Sequence, residues 1–299
     1  MKKIGVVGQG FVGSSLKEGF KDVFDVLTYD KYISEKSNST LEEIVKECDV
    51  IFSCVPTPMD MNTGMASVEI VIDVVRNINT AAEIAGTSPV IVVKSTVPPG
   101  TSAMLGAQHS HICPVAFNPE FLTEANAVED FKNQNRIVVG ADNDKVANRV
   151  KSVFEKGFPN VPILKTSTHQ AEMVKYVTNC FLATKVSFAN EIFDLCKTMG
   201  MNYDEVIDLA KLDTRLGDSH WMVPGPDGDR GYGGHCFPKD LQALRYVASR
   251  LNVKTHVLDG ANMTNNRVRA NRDWEGMEGR AVINSKKVDP ITGNVEITQ

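Results

Sequence analysis

Short apolar runs alternate with amphipathic stretches through the first half of the chain. Residues 3–7 (KIGVV) form the first run and stop at Gly8; residues 11–21 then read as a helix. Further runs cover 25–29, ending at Asp30, and 49–53, ending in Cys54-Val55-Pro56-Thr57-Pro58. The run 90–93 leads into Lys94-Ser95-Thr96-Val97-Pro98-Pro99-Gly100. A fifth lies near 113–117, before Asn118-Pro119-Glu120, and a sixth, 136–140, precedes a helical stretch from about 143 to 156. Strand-length apolar runs separated by helical segments indicate crossover units and a parallel sheet. The expectation is a doubly wound, Rossmann-like α/β domain over residues 1–166.

The period then changes. Ser167 can cap a helix, with Gln170 at the reciprocal capping-box position. No proline or glycine follows until after Met199. A helix of that length suits a domain connector or a dimer-forming spine. Further helices are expected over 203–212, from about 238 to 251 with Pro238 in the first turn, and roughly over 256–272. Residues 213–235 are rich in Gly, Pro and Asp and read as a long loop, a kind that is usually functional or disordered. This predicts an all-helical domain for substrate and dimerisation over 167–272. Residues 273–299 read as a tail, with no clear period from Ile283 onward.

Composition narrows the function classes. At about 150 residues per domain, a chain of 299 residues fits two domains. Hydrophobic residues make up 42% and charged residues 23%, enough to bury a sizeable core. The net charge of −5 argues against a broad electrostatic grip on nucleic acid or an anionic membrane. Six cysteines, at 48, 54, 113, 180, 196 and 236, include no Cys-x-x-Cys pair, so neither a disulfide scaffold nor a metal site is expected. Reduced thiols fit a cytoplasmic protein. The N-terminus imitates a signal peptide, but its apolar part is short and broken by four glycines and Gln9.

Gly8-Gln9-Gly10-Phe11-Val12-Gly13 lies between the first strand and the first helix. In that context G-x-G-x-x-G is a dinucleotide-binding turn. Gly8 permits the tight turn, Gly10 lets a pyrophosphate approach the backbone, and Gly13 allows close helix packing. The phosphates would rest on the helix N-terminus. Asp30 follows Gly13 by 17 residues. Its carboxylate can accept from an adenosine ribose and would repel a 2′-phosphate, which favours NAD over NADP. Three more strand ends carry polar or proline-rich turns, at Val55–Pro58, Ser95–Pro98 and Asn118–Glu124. Ligands of open parallel sheets bind at such ends, so the turns can line one cleft. Glu120 and Glu124, four apart, would face one side of a helical turn. Lys175 and Asn179, also four apart, are good donors to an oxyanion. The plain alternatives are ordinary strand–helix loops, a solvated glutamate pair, and a solvent-facing stripe that includes Glu172.

The sharpest local signal is Gly231-Tyr232-Gly233-Gly234-His235-Cys236-Phe237-Pro238-Lys239-Asp240. Its glycines let a ligand approach the backbone. Cys236 stands just before a helix start, where the helix dipole and Lys239 favour a thiolate. Asp240 can orient a water or a neighbouring base. A nucleophilic cysteine in a dinucleotide enzyme points to aldehyde oxidation through a covalent thio-adduct. The other five cysteines read as buried inert thiols. His235 is given no catalytic role, because adjacent side chains generally diverge.

Together GQGFVG, CVPTP, KSTVPPGT, FNPEFLTEANAVEDF, EMVKYVTNCFLATKVSFANE, LDTRLGDSH and GYGGHCFPKD resemble the UDP-glucose/GDP-mannose dehydrogenase family, from Met1 to about Arg272. The resemblance implies an NAD-dependent, two-step oxidation of a nucleotide sugar's primary alcohol to the carboxylate, with UDP-glucose to UDP-glucuronate the first choice. It makes Cys236 the nucleophile that forms a thiohemiacetal and then a thioester. Lys175 and Asn179 would stabilise the oxyanion, Glu120 would act as acid/base in hydrolysis, and Asp240 and Thr96 would position water. NAD would be held by Gly8, Gly10, Phe11, Val12, Gly13, Asp30, Pro56, Thr57, Ser95, Thr96, Glu124 and Lys239. The nucleotide sugar would meet Phe121, Leu122, Lys175, Asn179, Arg215 and Gly233. Arg215 would reach the substrate of a neighbouring subunit, implying a homodimer through the helical domain.

This sequence departs from the family pattern in two ways. Only 27 residues follow Arg272, too few for the family's C-terminal nucleotide-sugar-binding domain, so a short form is expected. The loop Trp221–Arg230 also differs, and Arg230 is a candidate for the diphosphate by charge alone. The alternatives are a different nucleotide sugar, such as GDP-mannose or a UDP-N-acetylhexosamine, or a catalytically impaired NAD-binding protein.

Overall fold

Each apolar run of the first half becomes a strand. In chain order the elements are β1 (Lys3–Val7), α1 (Phe11–Phe20), β2 (Asp25–Tyr29), α2 (Leu41–Glu47), β3 (Val50–Ser53), β4 (Met59–Asp60), α3 (Glu69–Ala85) and β5 (Val90–Val93). There follow α4 (Thr101–His109), β6 (Val115–Phe117), α5 (Ala127–Lys132), β7 (Ile137–Gly140), α6 (Asp144–Gly157), β8 (Ile163–Thr166) and α7 (Thr168–Thr198). The chain ends with α8 (Tyr203–Ala210), α9 (Phe237–Arg250), α10 (His256–Val268) and β9 (Val282–Ile283). This computed structural model describes residues 2–124 and 126–283. The chain divides into two units, Met1–Thr57 with Val68–Lys175, and Pro58–Ser67 with Tyr176–Gln299.

The first unit holds a seven-stranded sheet in the order β2-β1-β3-β5-β6-β7-β8. Its pairings are parallel except β6 with β7, which meet antiparallel at Phe117 and Gly140. The sheet is thus mostly parallel and Rossmann-like. Every residue of β3, β5 and β7 is buried, as expected for strands covered on both faces. Successive strand residues feed two separate cores. Ile4, Val6, Phe52 and Val139 pack with Phe20, Phe131, Phe154 and Phe158. Val7, Ile51, Ile91 and Val138 pack with Val71, Val75 and Ile78 of α3. β8 is an edge strand of sequence ILKT with its middle exposed, and so leaves no apolar run to read.

The second unit is mainly helical. Ser167 caps α7 as expected, its hydroxyl accepting the Gln170 N–H at 3.3 Å. The Gln170 carboxamide, however, accepts from the Ser167 and Thr166 hydroxyls, so the box is not reciprocal. α10 stops at Val268 and not near 272, because Arg269 leaves helical geometry and donates through Nε to the Asn271 carbonyl at 2.6 Å. The start of the expected tail is also built in. Trp274 is buried with Met59, Ala281 and Val282, and β9 pairs with β4. The remainder of that tail, 284–299, lies outside the described residues. Among the described residues, no helix is long and apolar enough to cross a membrane.

Candidate active site

The glycine turn has the form a dinucleotide needs. Gly8 takes a φ of +92°, and a Cβ there would meet the Cys54 carbonyl oxygen at 2.7 Å. Gly13 lies under the Gly8 carbonyl, where a Cβ would come within 1.9 Å. In front of Gly10, by contrast, no protein atom lies within 4 Å of a built Cβ. Gly10 supplies no side-chain cap to α1, and a helix N-terminus is a place where an anion can rest. Asp30 borders the turn. Its carboxylate accepts from Gln9 N at 2.7 Å and from Tyr32 N and Ile33 N at 2.9 Å each. Burial works against its ionisation, but those three N–H groups hold its pKa below the usual value. An ionised Asp30 fits a ribose hydroxyl and opposes a 2′-phosphate.

The ends of β3 and β5 are stitched together. The Thr57 hydroxyl donates to the Thr96 carbonyl at 2.8 Å, and the Ser95 hydroxyl donates to the Val55 carbonyl at 2.6 Å. Glu172 of α7 caps α4 from outside, its carboxylate accepting from Gly100 N at 2.6 Å and Ser102 N at 2.7 Å. Glu120 and Glu124 do not share a helical turn. The segment between them has no regular structure, because Glu120 accepts from Leu122 N at 3.1 Å and Thr123 N donates to Asp130 at 2.7 Å. Helix α5 therefore starts only at Ala127.

Glu120 pairs with Lys175. The ammonium donates to the Glu120 carboxylate at 2.9 Å and to its carbonyl at 2.6 Å, with both side chains almost wholly buried. Burial raises the Glu120 pKa, but Lys175, and then Lys94, bring it below the ordinary carboxylate value. Lys94 is a residue that sequence reasoning missed. It is buried and donates to Asn118 Oδ1 at 2.7 Å, while Asn118 donates to the Val138 carbonyl at 2.6 Å. Its only signal was a lysine opening a strand-end turn. Burial lowers its pKa to about 8. Between about pH 8 and 10.5 the unfolded chain therefore holds more protons, so the Lys94 contribution makes stability rise with pH. Replacing Lys94 with methionine should flatten that rise, by on the order of 3 kcal/mol across the window, in urea unfolding at several pH values.

In the second unit, Cys236 directly precedes α9, whose first turn carries Pro238. Asp240, one turn on, is buried. Its carboxylate accepts from Asn179 Nδ2 at 2.6 Å and pairs with the Lys239 ammonium. Lys175 and Asn179 thus stand one turn apart on α7 as the spacing requires, yet each is engaged with a carboxylate distant in sequence. Cys48, Cys54 and Cys113 behave as inert thiols, burial raising them to about 12, about 12 and about 11.

Other expected positions are placed as follows. Phe11 is exposed at the head of α1, and Val12 packs on the core. Phe121 stacks under the Arg136 guanidinium at 4.3 Å, and Leu122 packs on the core. Glu124 is exposed in a bend. Arg215 is 86% exposed and pairs with Asp213. Arg230 donates to Asn190 Oδ1 at 3.0 Å and pairs with Asp194 at 2.8 Å, so its charge serves the protein's own loop.

Known proteins resemble this chain in sequence and fold. The sequence profile of the UDP-glucose/GDP-mannose dehydrogenase family NAD binding domain matches residues 25–157, and that of the family's central domain matches 169–267. A UDP-glucose 6-dehydrogenase from Rhizobium meliloti is 39% identical, the match covering 77% of this chain and 54% of that protein. UDP-glucose 6-dehydrogenase YwqF from Bacillus subtilis is 36% identical, covering 78% and 52%. The structure of a UDP-glucose dehydrogenase from Pyrobaculum islandicum superimposes with a TM-score of 0.80 at 30% identity, covering 89% of this chain and 68% of that one. The chain spans about half the length of the two sequence relatives. With two profiles in the family's own domain order and this structural likeness, the chain belongs to the UDP-glucose/GDP-mannose dehydrogenase family.

Proposed function

We propose that the chain oxidises the primary alcohol of a nucleotide sugar to the carboxylate in two NAD-dependent steps, with UDP-glucose as substrate and UDP-glucuronate as product. The observation that carries this reading is Cys236 at the head of α9, with Asp240 held one turn on by Lys239 and Asn179. The glycine turn, α1 and Asp30 would hold NAD, with Pro56, Thr57, Ser95, Thr96, Glu124 and Lys239 contributing, and NAD when bound would accept the hydride of each oxidation. The sulfur of Cys236 adds to the aldehyde carbon, and the carbonyl oxygen becomes an alkoxide. Lys175 and Asn179 donate to that oxygen. After the second oxidation the sugar is a thioester on Cys236. Glu120, kept ionised by Lys175, takes a proton from the attacking water, which Thr96 and Asp240 orient. The C–S bond then breaks, and Cys236 is regenerated. Phe121, Leu122, Gly233 and Arg215 complete the sugar-nucleotide site.

Purified protein given UDP-glucose and NAD should release about two NADH per sugar, as two oxidations of one carbon require. Absence of NADH with UDP-glucose, GDP-mannose and UDP-N-acetylhexosamines alike would overturn the reading and leave an NAD-binding protein.

We infer a homodimer through α7, in the cytoplasm, where six cysteines that form no disulfide stay reduced. Val177, Phe181, Phe188 and Leu195 are 52–66% exposed along α7. Such a run of large apolar side chains on a helix calls for a partner, and a second copy would also bring Arg215 to the neighbouring substrate. A Phe181→Glu/Phe188→Glu variant should sediment as a monomer. A variant that sediments like the parent would remove this interface.

A further inference from the structure

The run Gly231–Gly234 ends two residues before Cys236. From the sequence, its glycines make room for a ligand. At Gly231 and Gly233 the structure fills that room with protein, whereas a Cβ on Gly234, at a φ of +69°, would meet nothing within 4 Å. A Cβ on Gly231 would lie 2.3 Å from Asn265 Oδ1, and one on Gly233 would lie 2.1 Å from Arg269 Nη2 and 2.4 Å from Asp273 Oδ1. Asn265, buried on α10, accepts from Tyr232 N at 2.7 Å and donates to the Tyr232 carbonyl at 3.0 Å. A side-chain amide here pairs with main chain as a neighbouring strand would. Arg269, also buried, stands one turn further on. Its Nη2 donates to Asp273 Oδ1 at 3.2 Å, its Nη1 lies 2.6 Å from Asp227 Oδ2, and its Nε holds the Asn271 carbonyl. Asp273 in turn accepts from Gly234 N, at 3.2 and 3.0 Å. On α7, Asn190 accepts from Gly231 N at 3.3 Å.

We propose that Asn265 and Arg269 are positioning residues for Cys236. They mould the backbone of Gly231–Gly234 so that the chain enters α9 with the thiol correctly placed, and Gly231 and Gly233 exist to admit them. Neither side chain touches substrate in this account. The claim rests on the reading of Cys236 as nucleophile, and its reasoning is one of tolerance. A reacting atom displaced by about 1 Å costs roughly 100-fold in rate, and a site is only as precise as the buried side chains that support it.

The test uses the full chain and the variants Asn265→Ala and Arg269→Lys, the second keeping the charge while losing the planar fork. Thermal unfolding first confirms that each is folded. The expected result is a kcat about 10- to 100-fold lower, with KM for NAD within about twofold. Alkylation of Cys236 by iodoacetamide at one fixed pH, followed by mass spectrometry, should slow by at least about fivefold, while the buried thiols keep their native rates. Should Asn265→Ala not fold, Asn265→Asp takes its place, since it keeps the acceptor for Tyr232 N and loses the donor. Folded variants with a lowered melting temperature but native kcat and native Cys236 alkylation would reduce the pair to a structural role and overturn the proposal. The alkylation arm needs no substrate. It therefore decides the positioning claim even if the parent protein oxidises no nucleotide sugar.

Discussion

Replacing Cys236 with serine should end formation of the acid while NAD binding stays unchanged. Serine is nearly the same size and its position precedes α9, so stability should move by no more than about 0.5 kcal/mol. The chemistry differs sharply. A thiol can ionise near neutral pH, the more so at a helix N-terminus, whereas a hydroxyl there needs a dedicated base. Loss of a covalent nucleophile should cost on the order of 10⁴-fold in the rate of full oxidation. Product mass and NADH stoichiometry measured together give the answer. Acid appearing at the parental rate from Cys236→Ser would show that the route is not covalent, whereas unchanged NAD affinity with no acid would separate binding from turnover.

The second large effect is expected at Lys175. Lys175→Met leaves Glu120 buried without its main counter-charge, and removing one partner of a buried pair costs about 3–5 kcal/mol. Turnover should fall by roughly 100- to 1000-fold, because the proposed oxyanion donor is lost as well. The pH dependence has a definite sign. In the parent, Glu120 is held below its unfolded value of 4.5, so its contribution to stability is present above that pH and is lost as pH falls through the lower folded value. Without Lys175 the carboxyl is left to burial, which raises it. The acid limb of unfolding should therefore move to higher pH. Lys94, charged throughout the acid range below its own pKa of about 8, still lowers the Glu120 carboxyl, but by less than Lys175 does. A Glu120→Leu/Lys175→Met double variant should regain most of the stability, because a buried pair can be replaced by apolar groups at little cost, and should regain none of the activity. An unshifted acid limb in Lys175→Met would show that the pair is not the source of the depression.

The strands were legible where burial on both faces left continuous apolar runs, as in Val50–Ser53 and Val90–Val93. β8 was not, because an edge strand with Lys165 and Thr166 needs no such run. β4 and β9 are two residues each and exist through each other. α7 was legible from the absence of breakers. At the site, motifs named the residues but not their partners. Spacing put Lys175 beside Asn179, and that holds on α7. It could not show that Glu120 and Asp240 take those donors across 55 and 61 residues of chain. Spacing failed for Glu120 and Glu124, where local side-chain hydrogen bonds outcompete the helix. Arg269 escaped notice because a buried arginine at the end of a polar helix looks, in sequence, like any solvated one.

The N-termini of α1 and α4, both helices of the first unit, differ in one respect. At α4 the Glu172 carboxylate already sits on Gly100 N and Ser102 N. At α1 the N-cap is Gly10, which has no side chain to place there. Glu172 thus acts as a tethered decoy at the mouth of α4, and a diphosphate arriving there would have to displace a carboxylate of the chain itself.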